Sequence, residues 1–298
     1  MIISIIGRQF VSKTSFLRKI TTLTPKMSSG EETGLKLSVV LTALEKFAPL
    51  KLSENWDNTG LLVEPYSPRN ITKILLTNDL TEDVALEAKE QNCEMIISYH
   101  PPIFAPIKSV VQKSWKERIV SLLLENRIAL FSPHTSWDSV NRGVNDWLAN
   151  AFPFTESVPI IPGEDPDTGA GRALKINKGL KLSEAITRVK DVTGLKYVRL
   201  ALGKGKTLSD NITTVALCAG SGGSVLKKVE HADLFLTGEM LHHDVLDAAQ
   251  RGISVILTNH SDSERGFLKR FSEYLKSDLD NQVDVVVSQC DKDPLTTV

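Results

Sequence analysis

Three cysteines in 298 residues, Cys93, Cys218 and Cys290, have neither the spacing of a disulfide framework nor that of a zinc ribbon. Such sparse thiols imply a reduced, intracellular protein. No run approaches the roughly 18 uncharged apolar residues of a membrane span, so no bilayer crossing is expected. Charge of one sign is also missing. With 35 basic against 36 acidic residues the net charge is −1, which argues against a dedicated nucleic-acid binder. At 41% hydrophobic and 24% charged, the chain lacks the polar bias of a disordered protein. Its length suggests two domains or one large one, at about 150 residues each.

Acidic residues are absent from one stretch. Residues 1–30 carry Arg8, Lys13, Arg18, Lys19 and Lys26, and the first acid is Glu31. The remainder holds 30 basic and 36 acidic residues, a net of −6. This opening segment is rich in Ser and Thr, with Ile5, Phe10, Phe16 and Leu17 scattered through it, and has no continuous apolar core. That composition reads as a mitochondrial transit segment rather than a secretory signal, with a frayed tail as the alternative. The first reading places the protein in mitochondria, the second in the cytoplasm or also the nucleus.

From Leu37 onward the pattern is periodic. Leu37, Val40, Leu41, Leu44 and Phe47 fall at helical spacing and end before Pro49. A polar loop with Asn55-Trp56-Asp57-Asn58-Thr59-Gly60 follows. Strands are then expected at Ile71–Thr77, Met95–Ser98 and Ile128–Ser132, with helices at Thr81–Gln91, Trp115–Glu125 and from Val144 to Ala151. The second half repeats this order. Strands are expected at Ile212–Ala219, Asp233–Thr237, Ser254–Thr258 and Val283–Ser288, with helices at Ser224–Glu230, His242–Gln250 and Glu264–Leu275. Alternating strands and helices imply an α/β fold with parallel pairing and helices over the sheet faces.

The two halves overlay. ITKILLTND at 71–79 resembles ITTVALCAG at 212–220, EMIISYH at 94–100 resembles DLFLTGE at 233–239, and IALFSPHTSWD at 128–138 resembles SVILTNHSDSE at 254–264. Three blocks recurring in one order indicate internal duplication. A first α/β repeat is therefore expected over 31–151, a second over 212–298, and a linking subdomain over 152–211. In the linker, a loop with Gly163, Gly169 and Gly171 precedes a helix at Leu182–Val192 and a strand at Lys196–Leu202.

Residues just past the C-terminal ends of parallel strands converge on one crevice. His100 and His134 lie there in the first half, Glu239 and His260 in the second. Acidic residues follow four positions after two of these, His134…Asp138 and His260…Glu264. The overlay thus sets His100, His134 and Asp138 against Glu239, His260 and Glu264. Imidazoles and carboxylates together suit divalent zinc, iron, manganese or nickel. A lone His-x-x-x-Asp more often caps a helix, but two such pairs at duplicated positions favour ligation. His134 and Glu239 are the candidates for proton transfer. His242 and His243 are either orienting partners of ligands or a solvated helix start, and His231 is structural. The Gly220–Gly223 turn lacks a P-loop lysine and reads as a tight turn sooner than a phosphate cradle. Gly169-Ala170-Gly171-Arg172 either offers an arginine to an anionic substrate or forms an exposed loop. Trp56 and Trp137 are read as packing residues, with stacking on a base as the lesser alternative.

NWDNTGLLVE (55–64), ISYHPPIF (97–104), SPHTSWD (132–138), DLFLTGEMLHHD (233–244) and NHSDSERGF (259–267) together resemble the Nif-three-like family, also known as GTP cyclohydrolase I type 2 homologues or domain of unknown function 34. The resemblance runs from about residue 37 to the final CDKDP. It implies two intertwined, internally duplicated α/β lobes with mixed or parallel sheets and a dinuclear metal site in the cleft between them. It also implies ring-like homo-oligomers. Carried over residue by residue, the family's ligands fall on His100, Asp138, His260 and Glu264. Tyr99 departs from the pattern, standing where many bacterial members have a histidine; its phenol is a poor ligand at neutral pH. The function implied is a metal-dependent hydrolase of a small, nucleotide-like substrate, with one or two divalent ions per chain. The competing class is a regulatory or scaffold protein binding protein partners, transcription regulators among them, since the family's name records an interaction with a transcriptional adaptor.

Overall fold

The computed structural model describes residues 33–297, and the expected transit segment lies outside them. In chain order the strands are β1 (Gly60–Val63), β2 (Lys73–Thr77), β3 (Met95–Ser98), β4 (Ala129–Ser132), β5 (Glu156–Val158), β6 (Ile161–Pro162), β7 (Gly169–Ala170), β8 (Arg172–Lys181), β9 (Arg199–Ala201), β10 (Asn211–Cys218), β11 (Leu234–Thr237), β12 (Ser254–Leu257) and β13 (Asp284–Val287). The helices are α1 (Leu37–Phe47), α2 (Glu82–Glu90), α3 (Trp115–Glu125), α4 (Thr135–Ser139), α5 (Val144–Ala149), α6 (Leu182–Thr193), α7 (Gly223–Leu226), α8 (His242–Gln250) and α9 (Phe267–Asp278).

Two large sheets result, ordered β1-β4-β3-β2-β13 and β5-β8-β10-β11-β12-β9, with β6 and β7 as a separate ribbon. In each, three consecutive strands pair in parallel and in chain order, β2-β3-β4 in one and β10-β11-β12 in the other. These are the strands of the three overlaid blocks. The sheets are mixed, within the expected mixed or parallel pairing: β1, β8 and β9 each run antiparallel to the parallel strand beside them, and β5 runs antiparallel to β8. The long strand β8 was not expected from the sequence, because its KINKGLK tail is too polar to read as a buried strand. The last strand, β13, crosses back to pair with β2 in the first sheet, which intertwines the two lobes.

Side chains of a strand alternate between its two faces, and here both faces are covered. In β2, Ile74 and Leu76 enter the core between the sheets, while Leu75 packs with Val84, Ala88 and Leu123 beneath α2 and α3. In β11, Leu234 and Leu236 enter the same central core, and Phe235 packs with Leu226 and Ala248 beneath α7 and α8. That is why these strands read as unbroken apolar runs. Within the central core an aromatic cluster ties α1 to α9, with the Trp137 ring tilted against Phe271 at 4.1 Å and Phe47 at 5.0 Å from the same ring.

The duplication extends to a polar brace. Glu94, just before β3, accepts hydrogen bonds from the backbone N–H groups of Thr72 and Lys73 at 2.9 and 3.0 Å. Asp233, at the overlaid position before β11, accepts from Thr213 and Thr214 at 2.8 and 3.2 Å. Each carboxylate satisfies amides at the start of the neighbouring strand and so fixes the register at that end. The opposite, C-terminal ends of the strands are left for the site.

Candidate metal centre

His100 follows β3, His134 follows β4, and His260 follows β12. The chain turns sharply there: His134 itself has φ +38°, and Asn259, just before His260, has φ +68°. Both lie in the left-handed region that non-glycine residues seldom occupy, and such strain gathers at functional sites. The rings of His134 and His260 lie 5.3 and 5.2 Å from that of His100.

Each imidazole is held through Nδ1 by its own carboxylate. His100 bonds Asp79 at 2.9 Å, His134 bonds Asp57 at 2.7 Å, and His260 bonds Glu239 at 2.9 Å. In a neutral ring donating from Nδ1, Nε2 carries a lone pair directed away from that carboxylate; such carboxylate–histidine pairs orient metal ligands. Burial alone would raise the Asp57 carboxyl, but hydrogen bonds from His134 and Thr135 outweigh it and hold it below the ordinary range. Asp79 is likewise held low against its burial by His100 and Arg265. Both remain anionic acceptors.

Nε2 of His100 and of His260 face Glu264, at 3.4 Å from Oε2 and 3.5 Å from Oε1 respectively. Those separations match two donors at about 110° around an ion bound at about 2.1 Å. His100, His260 and Glu264 therefore form a group able to hold a metal ion. Because each oxygen of Glu264 faces a different imidazole, the carboxylate can chelate one ion or bridge two. Burial first, and the charge of Asp138 next, push the Glu264 carboxyl well above its ordinary value; Asp138 is also raised by burial. Two buried carboxylates disfavouring their own charge are what a cation would relieve. Two further observations fit such a group. Asn78 donates to Glu264 Oε2 at 3.1 Å, yet its Oδ1 is buried without a partner among the described residues. A Cβ on Gly220, at φ +61°, would lie 2.3 Å from Glu264 Oε1 and 3.1 Å from His260 Nε2, so glycine there keeps the space beside the ligands open.

The other candidates divide. Asp138 is adjacent but stands outside the three-residue group, its Oδ1 accepting from the Tyr99 hydroxyl at 2.7 Å. Burial, with Asp138 and Glu264 nearby, pushes the Tyr99 phenol well up, so it serves as a proton donor to Asp138. His242 and His243 pair with each other at 5.3 Å on the exposed start of α8. Exposed His231 lies at the opposite strand ends. In the Gly220–Gly223 turn, the amides of Gly220 and Gly222 donate to the Ser263 and Thr237 hydroxyls, as a tight turn and not a phosphate cradle requires. The proposed anion-presenting Arg172 is corrected: it is 2% exposed, grips Asp146 with two bonds of 2.7 and 3.0 Å, and donates to three backbone carbonyls. Trp137 is core, whereas Trp56 is 61% exposed, its ring 6.0 Å from that of His134.

Sequence reasoning missed Asp57 and Asp79. Asp79 ends the ITKILLTND block, where the overlay pairs it with Gly220 and so conceals it. Asp57 sits in an aperiodic loop 77 residues from His134. The signal available for both was a lone acid just outside a strand end.

The chain shares its architecture with a solved Staphylococcus aureus protein, at a TM-score of 0.79 and 24% identity, covering 89% of this chain and 100% of that one. It is 49% identical over 269 residues to NIF3-like protein 1 of Drosophila melanogaster, covering 89% of this chain and 90% of the relative. It is 37% identical over 283 residues to NGG1-interacting factor 3 of Saccharomyces cerevisiae, covering 89% and 98%. The family model for Duf34/NIF3 (NGG1p interacting factor 3) matches residues 35–294, and with these relatives the chain belongs to that family.

Proposed function

We propose that this chain is a divalent-metal-dependent hydrolase of a small, nucleotide-like substrate. The observation that carries the reading is the pair of carboxylate-backed imidazoles, His100 and His260, facing buried Glu264, with a third carboxylate-backed imidazole, His134, ring to ring with His100. His100, His260 and Glu264 would hold the ion, with Asp138 completing its surroundings. A divalent ion bound there supplies Lewis acidity and makes water acidic enough to ionise near neutral pH. Asp79 and Glu239 orient their imidazoles. His134, backed by Asp57 and not required as a ligand, carries protons between the site and solvent. Trp56, beside His134, offers an exposed ring face to a planar substrate.

The test is metal analysis of the native protein, followed by a metabolite screen with the metal retained. Turnover should stop on chelation and return with metal. His134→Ala should lower turnover by about 10²–10⁴-fold and keep the metal, the range for a general acid or base. Loss of metal in that variant makes His134 a ligand instead. A second reading is a regulatory protein, favoured by the name of the yeast relative, which describes an interaction with NGG1. Retained metal, full folding and no chelation-sensitive turnover would favour it. Self-association belongs to either reading, and light scattering above the monomer mass checks it.

A further inference from the structure

The segment following β13 has no part in the site as described, yet it is tied to both of its sides. Ser288 donates to Glu87 of α2 at 2.5 Å, and the same carboxylate accepts from the backbone N–H groups of Gln289 and Cys290 at 2.9 and 3.3 Å. The Ser288 hydroxyl in turn accepts from the Asp291 N–H at 3.1 Å. This turn aims Asp291 inward, where its side chain is 2% exposed.

There Asp291 Oδ2 accepts from the Asn78 N–H at 2.7 Å and Oδ1 from the Asp79 N–H at 3.4 Å. Those residues send their own side chains to Glu264 and to His100. Asp291 also ion-pairs with Arg265, the residue directly after Glu264. Arg265 donates to Ser261 at 2.7 Å, and Ser261 donates to Asp293 Oδ2 at 2.7 Å. One buried carboxylate thus grips the loop after β2 in the first sheet and the loop after β12 in the second. Each of its protein partners is either an orienting residue or the immediate neighbour of Glu264.

We propose that Asp291 is a positioning residue for the metal centre, and that seating of the 288–293 segment and metal binding are coupled. The inference rests on the metal reading above. Without Asp291, the amides of Asn78 and Asp79 lose their acceptor and Arg265 its nearest carboxylate, so the His100 and Glu264 donors lose their fixed separation. Coupling is reciprocal: a tail that tightens the metal must itself be tightened by the metal.

The experiment is zinc titration of the full chain against a competing chelator at about 20 °C, with folding checked by circular dichroism. Asp291→Asn should bind zinc about 10–100-fold more weakly while remaining folded, the range for losing an orienting group behind a ligand. A purely structural tie would lower the melting temperature in chelator and leave zinc affinity in the folded protein unchanged. Zinc affinity within twofold of the unaltered chain therefore overturns the proposal. Hydrogen exchange on the unaltered chain decides it should the variant fail to fold. Zinc should slow exchange at residues 288–293 and at the Asn78 and Asp79 amides, and unchanged exchange overturns the coupling. An unaltered chain that takes up no zinc overturns the metal reading together with the proposal, which separates the two failures.

Discussion

The residue that most constrains the site is one without a side chain. Gly220 adopts φ +61°, and a Cβ there would meet Glu264 Oε1 at 2.3 Å and His260 Nε2 at 3.1 Å. Gly220→Ala must displace one of those groups and also pay for a left-handed backbone, costing about 1–2 kcal/mol. The expected outcome is a folded chain whose metal uptake, measured by elemental analysis, falls with that of Glu264→Ala. Undiminished uptake would show that the space beside Gly220 is not part of the site. The histidines and Glu264 were legible because they recur at overlaid strand ends. Their orienting carboxylates were not, since Asp57 and Asp79 reach the site through tertiary contacts that carry no periodicity. Arg172 shows the converse: a glycine-flanked arginine reads as exposed until its half-buried partner, Asp146, is seen.

At the scale of elements, the blocks with continuous apolar runs were the readable ones. Helices α1, α3 and α8 and strand β3 fall at their expected bounds, because burial on a fixed face leaves a clear period. The helix expected from Glu264 begins at Phe267 instead: a short 3₁₀ turn at Ser261–Ser263 places Glu264 before α9, where its carboxylate can turn inward. Strand β8 was hidden by its polar tail, and the return of β13 to β2 is a long-range pairing that local pattern does not encode. Arg172 at the head of β8 bonds Asp146 of α5, joining the second sheet to the helix that packs on it. Arg172→Ala takes the guanidinium from Asp146 and one donor from each of three carbonyls. A loss of about 3–5 kcal/mol in urea-denaturation stability is expected, the cost of breaking a buried pair by removing one member. A loss under about 1 kcal/mol would make the pair incidental.

For the whole molecule, the electrostatics of the site predict how stability depends on pH and metal. Burial and Asp138 raise the Glu264 carboxyl well above its ordinary 4.5. The metal-free folded chain therefore retains a proton that the unfolded chain releases. Its stability falls as pH rises from the ordinary carboxylate range through the raised value, and this contribution is flat above that value. In chelator, the melting temperature of the unaltered chain should fall relative to that of Glu264→Gln over this window. With a divalent ion bound, both carboxylates are satisfied as anions and the decline should vanish, while the ion adds about 4 kcal/mol at a thousand times its dissociation constant. Parallel melting curves for the two chains in chelator would contradict the burial argument.

The proposed function depends on an ion sitting among His100, His260 and Glu264, and anomalous diffraction from crystals of metal-loaded protein locates it most directly. The account predicts a peak about 2.0–2.3 Å from Nε2 of His100 or His260 and from an oxygen of Glu264, lost in Glu264→Ala. Metal found only at other side chains, or no peak at this group in protein shown to be loaded, would contradict it.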